Sequence, residues 1–134
     1  MIKKYWVRDP TAIKKYLPKI NPSSKNEIND KLGHFIEQRM KPARITGPTG
    51  DNNYVVDIYP KWHGSNIYMI QKFHCPSPNA FSPYFEDRVA RLQYLGNDKF
   101  NLCFRRYTGE WILLYTDQDL SSCFDAIECD HFFM

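Results

Sequence analysis

NLCFRRYTGEWILLY, residues 101–115, decides the class of fold. Apolar and polar side chains alternate into Thr108-Gly109 and alternate again out of it. A period of two is what a strand with one buried face requires, and Thr-Gly between two such runs marks a hairpin turn. A turn centred on Thr108-Gly109 sets Tyr107 opposite Glu110, Arg106 opposite Trp111, Arg105 opposite Ile112, Phe104 opposite Leu113 and Leu102 opposite Tyr115. Phe100, Leu102, Phe104, Leu113 and Tyr115 then share a face with Arg106 and Trp111. In that register the Arg106 guanidinium lies over the Trp111 indole, a contact of about 0.5–2 kcal/mol. Arg105 falls on the other face, diagonal to Glu110, so the two arginines are not expected to grip one ligand together. Two expectations stand side by side: a cation–π pair that closes the hairpin, or a binding site made of Arg105, Arg106 and Trp111.

Working outward, RVARLQYLGNDKFNLCFRR carries two strands around Gly96-Asn97-Asp98, which makes a three-stranded antiparallel meander over 88–115. YVVDIYPKW and NIYMIQKFH (66–74) are two further strands, joined as a hairpin through KWHGS with Gly64 in the loop. Both faces of the first are substantially apolar, as in a strand covered on both sides or at an interface. Three prolines in CPSPNAFSPYF exclude a helix or central strand and leave an ordered loop or an edge cover.

Helices are expected at both ends. Asp9 before Pro10 reads as an N-cap with proline at the first helical position, and Pro18 stops that helix. NPSSKNEINDKLGHFIEQRMKP has capping-box spacing at Ser24 and Glu27, with Ile28, Leu32, Phe35, Ile36 and Met40 at helical intervals before Pro42. In DQDLSSCFDAIECDHFFM, Leu120, Cys123, Phe124 and Ile127 share a helical face, and Asp117 or Asp119 is the cap. The predicted fold is α+β: one domain over 1–134, with a helical arm at 1–22 and a core at 23–134. Its largely antiparallel five-stranded sheet, a two-stranded hairpin plus a three-stranded meander, is covered by N-terminal and C-terminal helices. Ile28, Leu32, Phe35, Ile36, Phe104, Leu113, Phe124 and Ile127 are the predicted core.

Of 134 residues, 43% are hydrophobic and 16% aromatic, enough for an independent core. No apolar run approaches the roughly 20 residues of a membrane span, and MIKKYWVRDP lacks the apolar segment of a secretory signal. Cys75, Cys103, Cys123 and Cys129 lack CxxC spacing and read as buried thiols of a cytosolic protein. Charge is uneven: eleven Lys/Arg against four Asp/Glu in 1–44, seven against six in 45–115, none against five in 116–134. A basic front and an acidic tail either bind nucleic acid or pack together and cancel.

At the central hairpin the chain resembles a bacterial family known as a domain of unknown function. The resemblance covers roughly residues 25–134 and rests on FIEQRMKP, YPKW, RRYTGEW and LSSCFDAIECDHFF. It implies a bacterial or phage-borne cytoplasmic protein and transfers no catalytic residues.

Catalytic chemistry has little support in the residues. Glu37, Asp57 and Lys61 suggest a helix–strand metal-dependent nuclease, but Gln71 precedes Lys72 where a carboxylate is needed, and Mg²⁺ wants anionic oxygens. His74-Cys75 and Cys129/His131 lack metal-ligand spacing, and no phosphate-binding or nucleophile motif occurs. Neither a cofactor nor a metal is expected. Binding fits better. Lys61, Trp62, His63 and Tyr68 gather around the first hairpin, and Tyr5-Trp6 with Arg8 precede the first helix. Such cation–aromatic sets suit a protein interface, or base stacking with phosphate contact. The plainer alternative has Trp62 closing the core and Lys61 solvated. The expected function is a non-catalytic protein-binding module, an accessory or antagonist, whose partner is another protein or a second copy. The alternative is nucleic-acid binding by Lys14, Lys15, Lys31, Arg39, Lys41 and Arg44; against it stands the acidic C-terminal helix, whose Asp125, Glu128 and Asp130 would neutralise that face.

Overall fold

The computed structural model describes residues 3–7, 19–48, 50 and 52–133. Six strands form one antiparallel sheet: β1 (Lys3–Val7), β2 (Tyr54–His63), β3 (Asn66–His74), β4 (Tyr84–Gly96), β5 (Lys99–Arg105) and β6 (Trp111–Gln118). Their order is β1-β6-β5-β4-β3-β2. The expected hairpin and meander are both present, and they are one continuous ribbon, because β3 pairs β4 from Asn66↔Gln93 to His74↔Tyr84. The sixth strand was not anticipated. KKYWV is rich in β-prone side chains, and it pairs the open edge of β6 from Lys3↔Thr116 to Val7↔Leu113. The helix expected between Asp9 and Pro18 lies outside the described residues.

Each meander turn is dictated by its residues. Gly64 (φ +61°) serves the β2–β3 turn, and Asn97 and Asp98 both adopt φ > 0 between β4 and β5, as a two-residue primed turn demands. The β5–β6 turn differs from the sequence reading. Arg106 N donates to Glu110 O at 2.8 Å and Gly109 N to Arg106 O at 2.8 Å, so the loop has three residues, with Gly109 at φ +91°. A third loop residue shifts the register by one: Arg105↔Trp111, Phe104↔Ile112, Cys103↔Leu113. Ile112 and Leu114 therefore enter the core, and Leu113 is buried on the opposite face of the sheet.

On the core face lie two helical segments. The first, α1 (Pro22–Phe35), starts earlier than the Ser24 cap predicted, because Asn21 is the cap and its Oδ1 accepts from Ser24 N at 2.8 Å. Nor does Pro42 end it. A π-helical turn at Ile36–Met40 leads into α2 (Lys41–Arg44), with Lys41 N bonded to Ile36 O. The wider π turn takes the backbone ladder out of register where proline lacks a donor, so the chain passes Pro42 still helical. At the other end, α3 (Leu120–Cys129) is capped by Asp119, which accepts from Ser122 N at 2.7 Å. No helix among the described residues is long and apolar enough to cross a membrane.

Ile28, Leu32, Phe35, Ile36 and Met40 of the first helical segment meet Leu120, Cys123, Phe124 and Ile127 of α3 over Ile58, Ile67, Met69, Leu92, Leu102 and Leu114 of the sheet. The helices join through Phe35 and Phe124, stacked at 4.2 Å with 7° between ring planes. Phe124→Ala is expected to cost about 3–5 kcal/mol of unfolding free energy, and Phe124→Leu clearly less. Urea denaturation of the two variants measures both values.

Candidate functional site

Strand alternation divides the candidate residues between the two faces of the sheet. Trp62 faces α1: its indole Nε1 donates to Asn29 Oδ1 at 2.7 Å, and Lys25 Nζ stands 4.9 Å from its ring. It packs half-buried against the core. Lys61 belongs to the other face, paired with Tyr68, and His63 is exposed beside the turn. The cluster read from the sequence is thus split by the pleat.

On the face turned away from α1 and α3, Tyr68, Arg91, Cys103 and Leu113 occupy one cross-strand row, and Asn66, Gln93 and Asn101 the next. The expected Arg106–Trp111 pair does not form, because the shifted register carries Arg106 into the turn, 5.9 Å from the Tyr107 ring. Trp111 instead receives Arg91 at 4.9 Å and lies 5.7 Å from Tyr68, over which Arg88 sits at 4.7 Å. Arg105 approaches Asp87 at 3.9 Å, not Glu110. Arg91 is 2% exposed, yet among the described residues its Nε and Nη2 have no hydrogen-bond partner. Asn66 and the Gln93 amide nitrogen are buried without partners too, while Gln93 Oε1 accepts from Asn101 at 3.4 Å. Burial pushes the Cys103 thiol up to about 11, against the opposing pull of the Arg91 cation. Sequence reasoning passed over this polar layer, although alternation in RLQYL and NLCF already set Arg91, Gln93, Asn101 and Cys103 on one face.

Part of the basic front engages the C-terminal segment. Arg39 donates to Asp125 at 2.8 Å and to Glu128 at 2.7 Å, and that bond holds the Glu128 carboxyl below its usual range. Asp130 accepts instead from Tyr115 Oη. Arg44 is half-buried and donates to Ile127 O, Phe133 O and Gln71 Oε1. Lys41 Nζ lies 2.6 Å from Glu37 and 3.4 Å from Asp57. Glu37 and Asp57 are therefore neighbours, as the nuclease reading required, and a lysine ammonium occupies the space between them. Lys31 is exposed; Lys14 and Lys15 lie outside the described residues. Among those residues no three metal-ligating side chains converge.

An exposed aromatic surface completes the set. β4 runs past the end of β5, and with β2 and β3 it forms a three-stranded projection whose residues 84–88 are all exposed. Phe73 and Phe85 stack at 5.0 Å, and His74 packs on Tyr84 at 5.1 Å and on Tyr54 at 5.2 Å. The proline-rich loop that links β3 to β4 is held by Cys75 N to Pro83 O at 2.8 Å and Ala80 N to Ser77 O at 3.2 Å. It presents Phe81 entirely to solvent, beside Tyr84 (47% exposed) and Phe85 (42%).

Residues 20–134 match the family described as Domain of unknown function (DUF3024), and the chain belongs to that family. No curated protein matches it, and no solved structure does.

Two substitutions separate structural cations from spare ones. Arg44→Ala leaves the Ile127 and Phe133 carbonyls short of a donor and is expected to cost about 1–3 kcal/mol, whereas Lys31→Ala should stay within about 0.5 kcal/mol of the parent. Arg91→Met removes an unpaired buried charge and is expected to be neutral or stabilising, by up to about 4 kcal/mol. Guanidinium unfolding of the three variants reads all of these, and a strongly destabilised Arg91→Met would mean that Trp111 and Cys103 satisfy the cation.

Proposed function

We propose that this DUF3024 member is a non-catalytic binding module whose partner is another protein, engaged through the aromatic end of the β3–β4 ribbon. The observation that carries this reading is the exposure of Phe81 and Phe85, with Tyr84 on the other face of the same strand, at the end of one braced projection. Large apolar side chains left in water cost free energy, and contiguous ones mark interaction surfaces. Bracing matters equally. Stacks onto Phe73 and His74 fix the Phe85 and Tyr84 rings, and the loop hydrogen bonds fix the backbone that carries Phe81, which lowers the ordering cost of association. Beside them, Val55, Phe73 and Ala43 line a shallow apolar cleft of about 380 Å³ between α2 and the projection, which would extend the contact.

The protein is taken to work in the cytoplasm as an accessory or antagonist of its partner, in keeping with thiols outside any disulfide and with Cys103 and Cys123 buried. Nucleic-acid binding through the basic front has less to rest on, because Arg39, Lys41 and Arg44 spend their donors within the molecule.

Phe81→Ser with Phe85→Ser should leave unfolding within about 1 kcal/mol of the parent, as exposed positions do. Association should weaken at least tenfold, as loss of an aromatic anchor worth about 2 kcal/mol implies. Affinity capture from the source cells and sedimentation of the purified chain, each with parent and double variant, make the comparison. A parent that retains no partner and stays monomeric, or a variant that binds as well as the parent, would overturn the proposal.

A further inference from the structure

Where β4 runs past the C-terminal end of β5, a second concavity has different chemistry. Asp87, Arg88, Arg105, Arg106, Tyr107 and Phe132 line a polar cleft of about 370 Å³ beside the β5–β6 turn. Three guanidinium groups and one carboxylate give its wall a net charge of +2. The three-residue loop brings this about. With the register shifted by one, Arg105 and Arg106 line a single cleft, where the sequence reading held them on opposite faces.

The cations are poorly satisfied. Among the described residues Arg105 has one acidic neighbour, Asp87, at 3.9 Å, with both side chains about half exposed. Arg88 and Arg106 rest on the rings of Tyr68 and Tyr107, at 4.7 and 5.9 Å, and neither forms a salt bridge among the described residues. A cation–π contact uses the face of a guanidinium and leaves its N–H edges unpaired. The Arg106 amide and carbonyl are spent on the turn itself, so the donors still available here belong to side chains.

From this we infer that the cleft binds a dianionic phosphoryl group, the phosphate of a small monoester. Charge selects the class: a phosphate monoester carries close to two negative charges at neutral pH and three strong acceptor oxygens, and guanidinium forks fit them bidentately. A carboxylate or a phosphodiester, each a monoanion, would leave half of the charge uncompensated. Tyr107, 94% exposed, and Phe132 supply aromatic walls for an apolar substituent on the ester. The cleft shares Asp87 and Arg88 with the β4 stretch of the projection, but none of Phe81, Tyr84 and Phe85 lines it, so substitutions at the two places test this inference and the docking proposal separately.

Calorimetric titration of the full chain tests it, with inorganic phosphate, phenyl phosphate, dimethyl phosphate and sulfate as probes. Phenyl phosphate should bind tightest, inorganic phosphate and sulfate more weakly, and dimethyl phosphate least. Because the second ionisation of phosphate lies near pH 6, phenyl phosphate affinity should rise from about pH 5.5 to 7.5 while sulfate affinity stays level. Arg105→Gln and Arg106→Gln should each weaken phenyl phosphate about tenfold, the worth of a charge-assisted hydrogen bond. Asp87→Asn should tighten it by a few-fold, since an exposed carboxylate competes only weakly. All three positions are exposed, so the variants are expected to fold, and their unfolding curves check this. Absence of phenyl phosphate binding, indifference to both arginine substitutions, or equal affinity for dimethyl phosphate would overturn the inference.

Discussion

Arg44 holds together parts of the chain that are remote in sequence. It stands at the end of the first helical segment and donates to the carbonyl of Ile127 in the last turn of α3, to that of Phe133 just beyond, and to Gln71 on β3. The final turn of a helix has carbonyls without intrahelical donors and a partial negative charge, so a cation there meets two needs at once. Burial lowers the Arg44 pKa, and since a guanidinium keeps its proton in proteins the contact stays cationic. Beside it, Arg39 grips Asp125 and Glu128, and Phe35 stacks on Phe124. The charge asymmetry of the sequence meets in part at this seam.

The legible parts of the fold were those governed by local chemistry. Period-two runs located β2 to β6, and apolar spacing located α1 and α3. Asp119, proposed as one of two possible caps, does cap α3. The errors arose where one residue more or less changes the outcome. RRYTGEW accommodates a two-residue or a three-residue loop, and strand chemistry alone does not choose between them. The second puts Gly109 in the left-handed conformation glycine tolerates, and it moved Leu113, Arg106 and Trp111 to new surroundings. Pro42 was expected to stop a helix, because a π turn leaves no simple mark in sequence. The aromatic projection had a signal that was read only as punctuation: CPSPNAFSPYF carries its prolines and its exposed rings in the same eleven residues.

The face turned away from the helices stands apart energetically. Asn66, Arg91, Gln93 and Asn101 are each no more than 2% exposed, in the middle of a sheet where aliphatic side chains would be easier to bury. A buried guanidinium with unpaired N–H groups costs several kcal/mol that the stack on Trp111 offsets only in part. Apolar packing between the helices and the other face must cover the difference. Polar rows of this kind do confer register: a slip of one residue along β4 would drive Arg91 and Gln93 into the aliphatic layer.

The pairing of β1 with β6 also orders events in time. Each meander strand meets its partner across a short connection, so β2 through β5 can form as soon as they leave the ribosome. Lys3 must wait for Thr116, and Phe35 for Phe124, and both partners are made only after β5. At about 5–20 residues per second, the first strand and the apolar stripe of α1 spend several seconds without their final partners. Until then the newest sheet edge is open to pairing with a neighbouring chain, and β1, made before the rest of this sheet, is what closes it.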